Sequence, residues 1–151
     1  MTRENARKFT YLSAEINSLY HEAAVKIGIS DTAFDILYVL CEKGNRCLQS
    51  DVFKLTGISR QTINSAIRKL EKEKMVYLEQ GTGRNTVICL TDKGKLFLKK
   101  TMYPIFEMEN NIWNEWTAEE QQQYLMLTQR YRDTLKEYVL RFDKELPIKE
   151  T

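Results

Sequence analysis

The run Leu48-Gln-Ser-Asp-Val-Phe-Lys-Leu-Thr-Gly-Ile-Ser-Arg-Gln-Thr-Ile-Asn-Ser-Ala-Ile-Arg-Lys-Leu-Glu71 is followed by Met75-Val76, Gly81-Thr-Gly-Arg84 and Val87-Ile-Cys-Leu-Thr91. Its order is a short apolar helix over 48–56, a glycine turn at 57–59 and a helix from Arg60 to about Lys74. β-rich stretches at 75–80 and 86–90 then flank a glycine-containing loop and read as a two-stranded ribbon with Arg84 at its tip. This order is expected to build a winged helix-turn-helix, a module that sets one helix into a DNA major groove.

Within the central helix, Ser59 stands where a side-chain oxygen can cap free backbone N–H groups. Ile63, Ala66, Ile67 and Leu70 share one face and are expected to pack on the helix before the turn, while Gln61, Asn64, Ser65 and Arg68 fall on the opposite face. Such short polar groups suit base edges: Asn and Gln pair with adenine, Arg with guanine. A solvated surface helix is the alternative, but its face would be dominated by Glu and Lys, which cluster here only after Arg68. Lys54, Lys69, Lys72 and the helix start at Gln49-Ser50 are expected to hold phosphates. Ser59, Arg60 and Thr62 complete the candidate interface, and Arg84 is placed to enter a minor groove. Of the strand residues, Val76, Leu78, Ile88 and Leu90 are expected to cover the core.

The charge distribution points the same way. A net charge of +2 conceals eleven Lys or Arg against four Asp or Glu between Lys54 and Lys100, and twelve against seventeen elsewhere. Positive charge is thus concentrated on the segment with the turn and ribbon, as a phosphate-binding footprint requires. Lysine on ordinary exposed helices is the alternative.

Helices are expected on both sides. Phe9, Leu12, Ile16, Leu19 and Ala23 lie on one face of a first helix that Gly28 ends, and Ser30 or Asp31 can cap a second helix running to about Glu42. Its inner face would carry Phe34, Leu37, Tyr38 and Cys41, with Gly44-Asn45 as the stop. Thr91-Asp92 starts a further helix, which Pro104 is expected to kink, and Thr117-Ala-Glu-Glu120 is a capping-box signal for the last. In that last helix Tyr124, Thr128, Tyr131, Leu135, Tyr138 and Phe142 form a 3.5-residue seam suited to another helix. Leu96, Met102, Ile105, Phe106, Ile112, Trp113 and Trp116 add apolar surface, which either packs within the chain or joins two copies.

With 151 residues, 42% of them hydrophobic, the chain is expected to form a single domain around one core. No run of about 18 apolar residues is present, so no membrane partner is expected. The charged N-terminus leads into no apolar stretch, and the three cysteines, Cys41, Cys47 and Cys89, make no disulfide framework. A cytoplasmic location follows. His21 is the only histidine, so neither a Cys/His zinc cluster nor a His-based triad can be assembled. No metal, cofactor or enzymatic activity is expected. Cys41 and Cys89 read as small core residues, and Cys47 as the exposed thiol.

Taken together, the stretch 57–64 (Gly-Ile-Ser-Arg-Gln-Thr-Ile-Asn), Ile67-Arg-Lys-Leu-Glu71, Met75-Val76, and Arg84 with Val87–Thr91 and Lys93-Gly94 resemble the MarR family of bacterial transcription regulators. The resemblance covers nearly the whole chain. It implies a mainly α fold with a small β-hairpin wing, in which residues 31–91 form the DNA-binding lobe and residues 1–30 and 92–145 a helical dimerisation region. The implied function is that of a homodimeric repressor on a pseudo-palindromic duplex site, with half-sites roughly 10 bp apart. A winged-helix dimer that binds a protein partner, without DNA affinity, is the rival reading. The family also implies a pocket for a small-molecule effector; Tyr11, Tyr20, Tyr38 and Met102 would line it, unless they are ordinary packing residues. Some members sense peroxide through a cysteine in the first helix, where this chain has none. Two departures stand out. An acidic residue usually braces the wing arginine, where this chain has Thr82 and Gly83, and Phe53 replaces a small residue before the turn.

Overall fold

The computed structural model describes residues 1–145; residues 146–151, part of the single domain expected over 1–151, lie outside the described residues. Two compact units are present, Met1–Phe106 and a second from Glu107 onward. In chain order the elements are α1 (Thr2–Ile27), α2 (Asp31–Glu42), β1 (Arg46–Leu48), α3 (Gln49–Thr56), α4 (Arg60–Lys72), β2 (Val76–Gln80), β3 (Thr86–Leu90), α5 (Asp92–Asn114) and α6 (Ala118–Glu145). The class is the expected one, mainly helical with a winged helix-turn-helix.

The core of the first unit is built around α2. Ala33, Phe34, Ile36, Leu37, Val39 and Leu40 are all buried, so the helix is apolar nearly all round and central. The expected inner face was too narrow: Tyr38 and Cys41 are only half-buried, while Ile36 and Leu40 are fully enclosed. Val52 of α3, Ile63, Ile67 and Leu70 of α4, Ile88 of β3, and Leu98 and Met102 of α5 are among the residues that join α2 in the core. Enclosing each large aliphatic side chain contributes about 1.5–3 kcal/mol. Met102 and Ile105 therefore pack inside their own chain. Ser30 accepts a hydrogen bond from the Ala33 N–H at 3.1 Å and starts α2. Nearby, the exposed His21 of α1 pairs with Asp31 at 2.8 Å.

The expected two-stranded ribbon is a three-stranded antiparallel sheet in the order β1-β3-β2. Cys47 pairs with Ile88, and Leu78 also pairs with Ile88 from the other side. Strand β3 is paired along both edges, and its Val87, Ile88, Cys89 and Leu90 are all buried. Leu78 departs from expectation and is 38% exposed: β2 is an edge strand that leaves the core after Val76. Cys47 departs as well. Strand β1 turns it inward, it is 5% exposed, and burial pushes its thiol up to about 12.

Thr91 joins the sheet to α5. Its Oγ1 donates to the carbonyl of Lys74 at 2.6 Å and accepts from the Gly94 N–H at 3.0 Å. Gly94 lies so close to the preceding segment that an added Cβ would fall 2.1 Å from the Met75 carbonyl oxygen. α5 runs through Pro104 without interruption, although that residue lacks the N–H that would bond the Lys100 carbonyl.

In the second unit the expected capping box is present. The Thr117 N–H donates to Glu120 Oε2 at 2.8 Å, and the Glu120 N–H to Thr117 Oγ1 at 3.2 Å. Trp113, Trp116 and Tyr124 form an aromatic cluster with ring centres 5.1–5.8 Å apart, and Gln121 donates to the Trp113 carbonyl at 2.7 Å.

Candidate nucleic-acid interface

The turn between α3 and α4 is set by Gly57, whose φ of 65° closes α3 in a left-handed conformation and lets its N–H reach the Phe53 carbonyl. Two residues on, Ser59 Oγ accepts from the Thr62 N–H at 3.3 Å and lies 2.8 Å from the Thr62 hydroxyl. The cap thus occupies Ser59 and Thr62 with each other. At the start of α3 the Leu48 N–H donates to Asp51 at 3.3 Å.

α4 divides as its sequence implied. Ile63, Ile67 and Leu70 are buried, whereas Gln61, Ser65, Arg68, Lys69 and Lys72 are exposed and Asn64 is half-buried between the two faces. From α3, Lys54 is exposed, and Gln49 and Ser50 are half-buried. Arg60 lies over the Phe53 ring, 5.0 Å from its centre. Phe53 is half-buried against the core and serves as a floor for that guanidinium. Gln49 donates from Nε2 to Oδ1 of Asn64, a contact between two candidate DNA-binding residues that periodicity within one helix cannot reveal.

Arg84 is exposed at the wing tip. The loop is not braced by an acidic residue. Instead, Gln80 Nε2 donates to the Gly83 carbonyl at 2.8 Å, and the Gly81 N–H donates to the Asn85 carbonyl at 2.7 Å. Lower on the sheet, Arg46 of β1 and Glu79 of β2 pair at 2.7 Å across the central strand.

Three of the four candidate effector residues gather at the core, and the fourth does not. Tyr20 and Tyr38 pack against the core in which Met102 is fully enclosed, and Tyr11 stands 62% exposed on α1, outside that cluster. Tyr20, Phe34, Tyr38 and Phe106 form a chain of ring contacts, the tightest at 4.7 Å. Of the four, only Tyr38 lines a groove of about 370 Å³ between α2 and α3, with Asp35, Val39, Glu42, Leu55 and Thr56. Burial, aided by Asp31, raises the Asp35 carboxyl above its ordinary value. Among the described residues no group of three or more His, Cys, Asp or Glu could hold a metal ion, and no helix is long and apolar enough to cross a membrane.

A MarR family model matches residues 27–84, from the end of α1 to the wing arginine. A MarR family regulator from Neisseria meningitidis has a similar structure, with a TM-score of 0.75 at 14% identity over 89% of this chain and 97% of that one. A MarR/EmrR family transcriptional regulator from Acinetobacter sp. ADP1 gives 0.70 at 19% identity, over 90% and 97%. The PcaV transcriptional regulator from Streptomyces coelicolor, solved with its natural ligand, gives 0.60 at 19%, over 82% and 91%. At these identities the likeness establishes the fold. No curated protein matches the sequence significantly.

Proposed function

We propose that this chain, which carries a MarR-family segment across residues 27–84, is a sequence-specific, double-stranded-DNA-binding transcription regulator. The observation that carries this reading is the division of α4: a buried apolar face anchors the helix while Gln61, Ser65 and Arg68 stand exposed opposite it. The positive surplus between Lys54 and Lys100 falls on the same stretch of sequence. In this reading α4 enters the major groove, Arg84 reaches the minor groove, and Lys54, Lys69, Lys72 and Ser50 meet phosphates.

The regulator works in the cytoplasm as a homodimeric repressor on a pseudo-palindromic site. Two apolar surfaces support the dimer. On α1, Phe9, Leu12, Ile16 and Leu19 are 47–65% exposed, and on α6, Tyr124, Tyr131, Leu135, Tyr138 and Phe142 are 46–56% exposed. Residues 1–30 and 92–145 form the dimerisation region, and residues 31–91 the DNA-binding lobe. A small-molecule effector releases the DNA by favouring a dimer whose recognition helices are wrongly spaced. PcaV and NadR, similar in fold, were solved with a natural ligand and with 4-hydroxyphenylacetate respectively, and here the groove beside Tyr38 offers such a molecule space.

The deciding experiment measures binding of the purified protein to its own upstream DNA across a salt series. Affinity should fall steeply, linearly in log–log form, as phosphates are neutralised and counterions released. Absence of salt-sensitive binding would exclude the regulator and favour the protein-interaction reading.

A further inference from the structure

One wall of the groove beside Tyr38 is a single stripe of α2. Asp35, Tyr38, Val39 and Glu42 follow one another at spacings of 3, 1 and 3, which is one helical face. The opposite wall is Leu55 and Thr56, the last two residues of α3. The space between them, about 370 Å³, lies at the small end of the range for organic ligands and suits a body of one aromatic ring. Its electrostatics are one-sided. Two carboxylates line it and no described lysine or arginine does. Among the described residues neither Asp35 nor Glu42 has an ion-pair partner. A cation beside Asp35 would hold its carboxyl below the ordinary value, whereas burial and Asp31 raise it. The end of α3 carries the same sign, because a helix dipole is negative at its C-terminus. Thr56 also links the groove to the turn before α4: its Oγ1 donates to the Val52 carbonyl at 2.7 Å and accepts from the Ile58 N–H at 3.3 Å.

We propose that the groove between α2 and α3 binds an organic cation of the arylalkylammonium class, its ammonium drawn by Asp35 and Glu42 and its ring lying against Tyr38, Val39 and Leu55. A neutral molecule of the same size gains only the apolar contacts, and an aromatic carboxylate is repelled. The consequence for DNA rests on the regulator reading above. A ligand seated here touches the residue that bonds into the turn before α4, and whatever factor it imposes on DNA affinity, bound DNA imposes on the ligand.

The test is calorimetric binding of phenethylamine, phenethyl alcohol and phenylacetate to the full-length protein without DNA, near neutral pH and at fixed ionic strength. The three share a ring and differ in charge. The amine should bind about tenfold more tightly than the alcohol, as a charge-assisted contact allows, and phenylacetate most weakly. In the double variant Asp35→Asn/Glu42→Gln the amine should bind no better than the alcohol, whose affinity should not change. Leu55→Trp, at a position 59% exposed, should fill the groove and weaken both. Alcohol or phenylacetate binding to the wild type as tightly as the amine would overturn the proposal, a comparison that needs no variant. So would an absence of amine binding at tens of millimolar, or an amine preference that survives in the folded double variant. Binding to the protein's own upstream DNA is measured separately. If no salt-sensitive DNA binding were found, the regulator would fall and the ligand series would still decide the groove. If the amine bound as expected and left DNA affinity unchanged, the cation site would stand and its role as an effector site would fall.

Discussion

The guanidinium of Arg60 lies 5.0 Å from the centre of the Phe53 ring, across the turn between α3 and α4. The bulky residue at 53 therefore has a partner on α4. A cation over an aromatic face at a partly exposed site is worth about 0.5–1 kcal/mol. In a double-mutant cycle of Phe53→Leu and Arg60→Gln, urea unfolding should show a coupling of that size. A coupling indistinguishable from zero would mean that the two groups are merely adjacent.

Ser59 holds the start of α4 by accepting from the Thr62 N–H. Ser59→Ala should lower the unfolding free energy by about 1 kcal/mol, the usual cost of losing an N-cap oxygen. Ser59→Asp should restore most of that stability yet weaken DNA binding, because a carboxylate would face the phosphates. Urea melts and a binding isotherm at fixed salt separate the two effects.

Gly94 is the position where helix propensity and packing oppose each other. In an exposed helix Gly→Ala gains about 1 kcal/mol. Here the new Cβ would meet a backbone oxygen 2.1 Å away, and overpacking of this kind costs about 1–3 kcal/mol. Packing should win, so Gly94→Ala is expected to lower the melting temperature. A rise would show that α5 can shift away from Met75 at little cost.

Cys47 has its thiol pushed up to about 12 from an ordinary value of 9.0, with burial as the largest cause. Because the folded-state value is the higher one, the unfolded chain releases the proton first. The thiol's contribution is fully present below pH 9 and is lost as pH climbs from there towards 12. Stability of the wild type should therefore decline over that interval more than that of Cys47→Ala. Native-state alkylation should modify Cys47 only at the rate of unfolding, whereas a fast reaction in the native protein would contradict its enclosure.

Most of the element order was legible because it depends on local signals. Gly28, Ser30, Gly57, Ser59, Thr91 and the Thr117–Glu120 pair act within a few residues of themselves, and each acts in the structure as its sequence position implied. β1 was not legible. It has three residues, and its partner β3 begins 38 positions later, at Thr86, so no periodicity marks it. Missing that strand also misplaced Cys47, which only the pairing with β3 turns inward. Leu78 failed for a related reason: alternation says which side chains share a face, but not how far the core extends beneath an edge strand. At the interface, the two faces of α4 could be read from spacing. The contact between Gln49 and Asn64 could not, because it depends on how two helices meet.

The pairing of Arg46–Leu48 with Val87–Cys89 bears on how the chain folds. The whole segment of α3, α4 and β2 lies inside a loop whose two ends are joined in the sheet. Closing a loop of that size carries an entropic cost that grows only slowly with length, but it must be met before the non-local strand contacts can form, which slows folding. An excised peptide containing only α3 and α4 would lack that closure. The arrangement of α3, α4 and β2 is therefore completed only when the strand before the turn finds the strand after the loop at 81–85.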